Sequence, residues 1–593
     1  MIVRTLLLWL CLAHTTESQN LDALRTTMRQ ALEHERAGRL DRAAELYVSL
    51  SAQHPGRADL TYRLADLYKR MGRHQDALDA LDARIVRFPT DPRARIHRAD
   101  ILISAGRKKE ALRTIDQALR KARSPGLFIN VADTYRKQGL DDLAERAYLA
   151  ARESLGDTTL FQRELAEIAL ARGDHLAAVR EYAGFAATKP QYAGLVERQL
   201  EEIATEADDP RAIVDLLADR VQRNPTPHQI RLYVAFVLKT GHALEAVDLL
   251  AALPRRVPIA GSLLTLGRQS LEAGDHPTAV VALDSLEHRA THDGIRIQAR
   301  LLRARALENL GLDTRADQLY REVVASPNGG RLGEEGAYRW ARLLARTGRP
   351  DSARHVLERM ILTARHGTWR GPALFDLSDL HVSAGRLPDA ERVLATVARE
   401  QRGNDGEASA LFKQAEIDFM RLRFEAASEG LRTVLSTNRT YRAINDAIAL
   451  SHLLQIGTSQ DTVALRELAL SLRAERQGDL EHALAALKTE ATPTSPLGDH
   501  ILRRRIELLQ LSGRSDETIE TCQTLVDRFP WSPFSPWALL VAGDTYRERP
   551  EHVGSALEMY ERLLIDYGRS IEADEARMRI KTLRPAQTGG QPG

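Results

Sequence analysis

Few residues of this chain are placed to do chemistry. His288 and His292 stand four apart, with Glu287 and Asp293 beside them, so both imidazoles fall on one face of a helix and could hold a metal ion. Neither a third ligand nor the His-Glu-x-x-His order accompanies them, and surface histidines are the simpler reading. The run Asn328-Gly329-Gly330-Arg331-Leu332-Gly333-Glu334-Glu335-Gly336 has the glycines of a phosphate loop. It lacks Gly-Lys-Ser/Thr and a preceding strand, and reads instead as a lengthened turn. Cys522 has Cys11 as its sole possible thiol partner, which excludes a disulfide framework and a cysteine metal cage. It falls on an apolar helix face, where a thiol acts as a small hydrophobe.

Charge narrows the field further. Acidic residues number 81 and basic residues 83, for a net charge of +2, so no global field draws in nucleic acid or anionic lipid. Only 10 of the basic residues are Lys. An Arg-rich surface suits bidentate carboxylate recognition, although codon bias alone would give the same composition. No cofactor is expected.

The N-terminus reads Met1-Ile2-Val3-Arg4, then the apolar run Thr5 to Ala13, then Thr16-Glu17-Ser18. A basic start, a short apolar stretch and a small-residue exit describe a secretory signal peptide over residues 1–18, with a mature chain from near Gln19. The apolar run is too short to span a bilayer, and no later segment is long and apolar enough. Leu10 precedes Cys11 where lipoprotein signals carry Gly or Ala, which argues against a lipid anchor. The expected location is the periplasm or the exterior.

The elements that must position any site come from a repeat. Gly is followed five residues later by Ala, nine later by an aromatic residue or Leu, and seventeen later by Pro: Gly38, Ala43, Tyr47, Pro55, then Gly72, Ala77, Leu81, Pro89 after 34 residues. Gly106, Gly139, Gly173, Gly241, Gly274, Gly311, Gly348 and Gly385 continue the ladder, the last three at a spacing of 37, as if each inter-repeat turn had gained about three residues. Ala31, Ala65, Ala99, Ala132 and Ala166 stand seven before the Gly. Gly closes the first helix in a left-handed cap, Ala marks the closest helix approach, the aromatic residue bridges to the next pair, and Pro stops the second helix.

This pattern resembles the tetratricopeptide repeat family over most of the chain. The resemblance implies an all-α solenoid, a right-handed superhelix of antiparallel helix pairs, covering 19–440. The phase weakens at Asp208-Asp209-Pro210 and around Arg421 with Ala426. Residues 441–475 read as a degenerate helical repeat or hinge, 476–583 as a C-terminal block of repeats, and 584–593 as a disordered tail. Within that block, Phe529-Pro530-Trp531-Ser532-Pro533 and Asp566-Tyr567-Gly568-Arg569-Ser570, with Ala573 and Ala576, are similar to repeats of bacterial envelope proteins that act in outer-membrane barrel assembly and cell-division coordination.

By the same resemblance the first helix of each pair lines a concave groove, with groove positions ten, six, three and two residues before the Gly. These are Tyr62, Asp66, Lys69 and Arg70; Ile96, Asp100, Ile103 and Ser104; Ile129, Asp133, Arg136 and Lys137; Arg163, Glu167, Leu170 and Ala171. Arg305, Glu308, Tyr338 and Arg342 follow in a more basic stretch. A docked peptide could use this acidic level and the basic and apolar levels flanking it. The competing account pairs Asp66 with Lys69 or Arg70, and Asp133 with Arg136 or Lys137, along one solvated helix. Chaperone-binding members hold a terminal carboxylate with Lys and Asn, and Asp66, Asp100 and Asp133 in place of Asn argue against that clamp.

The expectation is therefore a non-catalytic scaffold that binds other proteins or peptides, envelope proteins in particular. One alternative is self-association, for which the aromatic run Trp531, Phe534 and Trp537 speaks. A remoter one is a peptidoglycan lytic enzyme, since Glu153-Ser154 resembles the catalytic pair of soluble lytic transglycosylases. A glycosidase acid needs an enclosing pocket, and no segment remains to supply a lysozyme-like domain.

Overall fold

The computed structural model describes residues 23–119, 124–364, 367–437, 442–488 and 491–588, with side chains described as far as residue 583. The signal peptide, Cys11 and residues 589–593 lie outside them. Two compact units divide the chain after Arg289. Both are all-α, and no strand occurs among the described residues.

The N-terminal unit is a stack of antiparallel helix pairs, from 23–36 with Leu40–Gln53 to Ala260–Glu272 with His276–Arg289. Packing follows from the repeat. Ala43, Ala77, Ala111, Ala144 and Ala178 are all completely buried, as are Ala31, Ala65, Ala99, Ala132 and Ala166. A methyl group is the largest side chain that lets paired backbones approach so closely. Tyr47, Tyr148 and Tyr182 fill the wider gaps and are at most 3% exposed. Where Gly is missing near residue 208, Asp209 caps the helix Pro210–Arg223 by accepting from the Ala212 N–H at 3.1 Å.

The C-terminal unit repeats the scheme with longer parts. Asp293–Asn309 and Gly330–Arg346 have 17 residues each, against 13 in Ala58–Arg70 and Pro92–Ser104. The extra residues therefore add a helical turn at these two helices, whereas before Gly385 the helix Arg370–Ser383 has 14 residues and the stretch between helices, 364–369, is the longer part, as expected. Most of the Gly-rich run from Asn328 to Gly336 is likewise helix, since Gly330 opens it.

Around residue 421 the template continues one residue later than expected. Leu422 takes the Gly position with φ of 63°, and Ala427, completely buried, takes the Ala position. Ala426 is exposed. Leu422 packs against the core around Phe419 and Leu431, and that contact holds a conformation costing a side-chain-bearing residue about 1–2 kcal/mol.

Residues 441–475 do not behave as one segment. Ile444–Gln460 is an extra helix after the pair Asp405–Met420 and Phe424–Thr437. The following helix, Thr462–Arg476, crosses the expected boundary at 475 and is the first helix of the Gly478 pair.

The C-terminal phrasing that looked distinctive is structural. Ser532 Oγ donates to Asp499 at 2.7 Å, and the Tyr567 hydroxyl donates to the Pro530 carbonyl at 2.7 Å, tying successive pairs together. Phe534 and Trp537 are half-buried under Arg503, whose guanidinium lies 4.5 and 5.8 Å from their ring centroids; Trp531 alone stays exposed. The last helix, Glu572–Thr588, carries through Pro585 past the expected start of the tail. No helix among the described residues is long and apolar enough to cross a membrane.

Candidate functional site

Three consecutive first helices of the N-terminal unit, Ala58–Arg70, Pro92–Ser104 and Pro125–Lys137, enclose a cleft of about 710 Å³. Tyr62, Asp66, Lys69, Arg70, Asp100, Asp133 and Lys137 all line it. Arg93, His97, Asn130, Thr134 and Gln138 line it as well. In the third helix sequence reasoning missed Asn130 through a phase error, whereas Tyr62 and Ile96, ten residues before their Gly, do line the cleft. At 100° per residue, a side chain nine residues before the Gly lies only about 20° from one two residues before it, whereas a side chain ten before is about 80° away. Hence Arg93, Ile96, His97 and Asp100, and likewise Asn130, Asp133, Thr134 and Lys137, form i, i+3, i+4, i+7 stripes on the cleft wall.

Several of these groups are occupied by the scaffold. The Tyr62 hydroxyl donates to Asp91 at 2.7 Å, and its ring stacks on His97 with centroids 4.2 Å apart. Burial first, and the Asp91 carboxylate second, push the Tyr62 phenol up to about 12. Burial works to raise Asp91 too, but hydrogen bonds from Tyr62 and Arg84 outweigh it and hold that carboxyl below its ordinary range. Asp91 also caps the helix Pro92–Ser104. Tyr62 is thus a packing residue at the rim.

The ion pairs run between repeats, not along one helix. Lys69 Nζ lies 2.6 Å from Asp100, Arg70 lies 2.5 Å from Glu35, and Arg136 lies 3.5 Å from Glu167. In two of these, a base three residues before one Gly meets an acid six residues before the next, a juxtaposition that only stacking creates. His97 sits 3.8 Å from Asp66. Partly exposed pairs of this kind contribute on the order of 1 kcal/mol each and chiefly fix register.

Asp133 and Lys137 differ from the rest. Both are exposed on the cleft wall, and neither has a hydrogen bond or ion pair among the described residues. With the exposed side chains of Arg93 and Asn130, which also have no side-chain partner among the described residues, they are the groups left over to meet a ligand. Ile129, 39% exposed, faces an adjoining cleft with Pro89, Arg95 and Leu127.

In the C-terminal unit Arg305 is half-buried, and Tyr338 is only 9% exposed, stacked on Trp369 with centroids 5.2 Å apart. Arg342 lies over the Tyr338 ring at 5.9 Å and 4.0 Å from Asp376. Tyr338 is therefore part of the core, and Arg342 alone of this group lines a second cleft.

The other candidates find simple places. His288 Nδ1 lies 2.8 Å from the Asp284 carbonyl oxygen, and no cluster of three potential metal ligands exists among the described residues. Glu153 is exposed. Cys522 is buried, which pushes its thiol up to about 12 and keeps it protonated.

Tetratricopeptide repeat family models match residues 35–95 and 338–405. The TPR repeat-containing protein YpiA of Bacillus subtilis (strain 168) is 22% identical over 263 residues, covering 44% of this chain and 62% of the relative, so the chain spans less than two thirds of that protein. Among solved structures, Naa15/Naa10 bound to HypK-THB aligns at 14% identity over 88% of this chain and 79% of that one, with a TM-score of 0.30. Yeast Tom70 aligns at 13% identity over 77% and 99%, with a TM-score of 0.28. Scores this low carry no argument about function. With the glycine caps, buried alanines and helix pairing in place, the segments 35–95 and 338–405 are tetratricopeptide repeats.

Proposed function

We propose that this chain is a non-catalytic scaffold of the bacterial cell envelope that docks an extended segment of an envelope protein in the cleft of its N-terminal unit. Tetratricopeptide repeats suggest protein–protein interaction in general. The observation that carries the finer reading is the cleft itself: three rigid helices present equivalent side chains at successive levels, and Asp133 and Lys137 stand there without scaffold partners. Stacked helices hold such groups in place before binding, so little receptor entropy is lost when a ligand is ordered. Export rests on the basic start and apolar run of residues 1–18.

Asp133→Asn with Lys137→Ala is the informative variant, because Tyr62 and Arg70 are tied to the scaffold. In-cell crosslinking followed by mass spectrometry is expected to recover at least one protein with the native chain and to lose it with the variant, at unchanged circular dichroism. Retention of every partner would remove the N-terminal cleft from consideration. Fractionation tests the location separately: a mature chain starting near Gln19 outside the cytoplasm supports export, and an uncleaved cytoplasmic chain refutes it.

A further inference from the structure

A second cleft lies wholly within the C-terminal unit, between the first helices Gly330–Arg346, Arg370–Ser383, Asp405–Met420 and Thr462–Arg476. Its volume of about 500 Å³ is that of a small-ligand pocket, large enough for one long side chain and part of a neighbour. Two walls are built alike. Asp376, Asp379, Leu380 and Ser383 repeat as Lys413, Glu416, Ile417 and Met420 exactly 37 residues on, each an i, i+3, i+4, i+7 stripe. Leu380 and Ala345 supply a half-buried apolar surface beside these charges, over a floor of the buried Leu357, Val382, Ile417 and Met420.

The charges are not equally satisfied. Lys413 holds Asp379 at 2.5 Å and Arg476 holds Glu416 at 3.1 Å. Asp376 has Arg342 at 4.0 Å, a guanidinium that is two-thirds exposed and also lies over the Tyr338 ring, with the Tyr338 hydroxyl and the more distant Lys413 as its other favourable neighbours. Burial raises both Asp376 and Glu416 above the ordinary carboxyl range despite these neighbours. Both acids therefore sit in surroundings that a further positive charge would relieve.

A second observation is independent of charge. Ser378, 1% exposed, lines the cleft, and its Oγ has no hydrogen-bond partner. The repeats on either side hold Ala341 and Ala415 at this position. A buried hydroxyl without a partner is unfavourable, and a ligand donor would satisfy it.

We propose that this cleft is a receptor for a lysine or arginine side chain of a bound polypeptide, its aliphatic stem lying along Leu380 and Ala345 and its cationic head meeting Asp376 and Ser378. The stem's methylenes match the apolar wall while the charged head reaches the acids, as such amphipathic side chains do elsewhere. An anionic group would instead face three carboxylates whose nearest cations are already engaged. None of these residues belongs to the N-terminal cleft.

The test is panning of a random dodecapeptide phage library against the full chain and against three variants: Asp376→Asn, Ser378→Ala and Asp133→Asn/Lys137→Ala. The native chain is expected to enrich peptides with a Lys or Arg next to an apolar residue. For a synthetic enriched peptide, anisotropy should show affinity at least about tenfold weaker with Asp376→Asn and weakening with added salt. Ser378→Ala restores the residue of the neighbouring repeats, so it should lower affinity without lowering the melting temperature. Asp133→Asn/Lys137→Ala should bind the peptide as the native chain does, which separates failure here from failure of the N-terminal cleft. Enrichment of acidic peptides, absence of basic enrichment, or affinity indifferent to Asp376→Asn overturns the proposal.

Discussion

Gly267 and Gly106 perform different tasks, and the same substitution separates them. An added Cβ at Gly106 would meet nothing within 4 Å, but φ is 77° there. Gly106→Ala is expected to destabilise by about 1–2 kcal/mol through backbone strain alone. Gly267 lies inside the helix Ala260–Glu272, where Ala is the better helix former by about 1 kcal/mol. Its Cβ would come 2.5 Å from Cγ of the fully buried Leu283. Overpacking costs about 1–3 kcal/mol, so Gly267→Ala should still destabilise. In a Leu283→Ala background only the propensity term remains, and the sign should reverse. Urea titration of the four chains checks this, and an unchanged sign would show that Leu283 is not the obstacle. Leu422 is the natural counterpart, a side chain kept in the left-handed region because its neighbours bury it.

Among elements, the helix Gly498–Leu511 carries a pH-dependent joint. His500 packs edge-on against Phe534 at 4.9 Å. Burial, helped by Arg503 and His452, lowers its pKa against the pull of Asp499, so the folded ring is neutral. The unfolded chain then takes up the proton first as pH falls. Stability from this group is present above about pH 6.5 and is lost as pH drops through the lower folded value. Thermal melts from pH 7.5 to 5 should show a falling midpoint, flatter for His500→Gln; equal slopes would exonerate the ring. What the sequence revealed of such elements depended on distance along the chain. Caps and close approaches are set by a single residue type, so Gly72, Ala77 and Tyr47 were legible. Groove phase was not, because a one-residue offset turns a side chain by 100°, which moved the wall from Ile129 to Asn130. Nor were the partners of Lys69 and Arg136, which lie 31 residues away, in the next repeat. The extra helix Ile444–Gln460 carries no Gly–Ala signature to mark it.

For the molecule as a whole, the question is how far a local fault spreads. The core from Ala65 to Ile168 is drawn from adjacent pairs of the N-terminal unit, and that from Ala491 to Ile580 from the C-terminal unit. In a stack of repeats each pair is stabilised by its neighbours, so a defect should weaken the pairs beside it most. Phe128 is completely buried at the centre of the first of these cores. Phe128→Ala is expected to cost about 3–5 kcal/mol, enough to open the local stack while the rest stays folded. Hydrogen exchange on the full chain should show protection lost from Pro92–Ser104 through Asp141–Leu155 and retained in Gly498–Leu511 and Ser535–Arg547. Uniform loss across both units would mean that the chain unfolds as one cooperative body, and nearest-neighbour stacking would then be the wrong account of its stability.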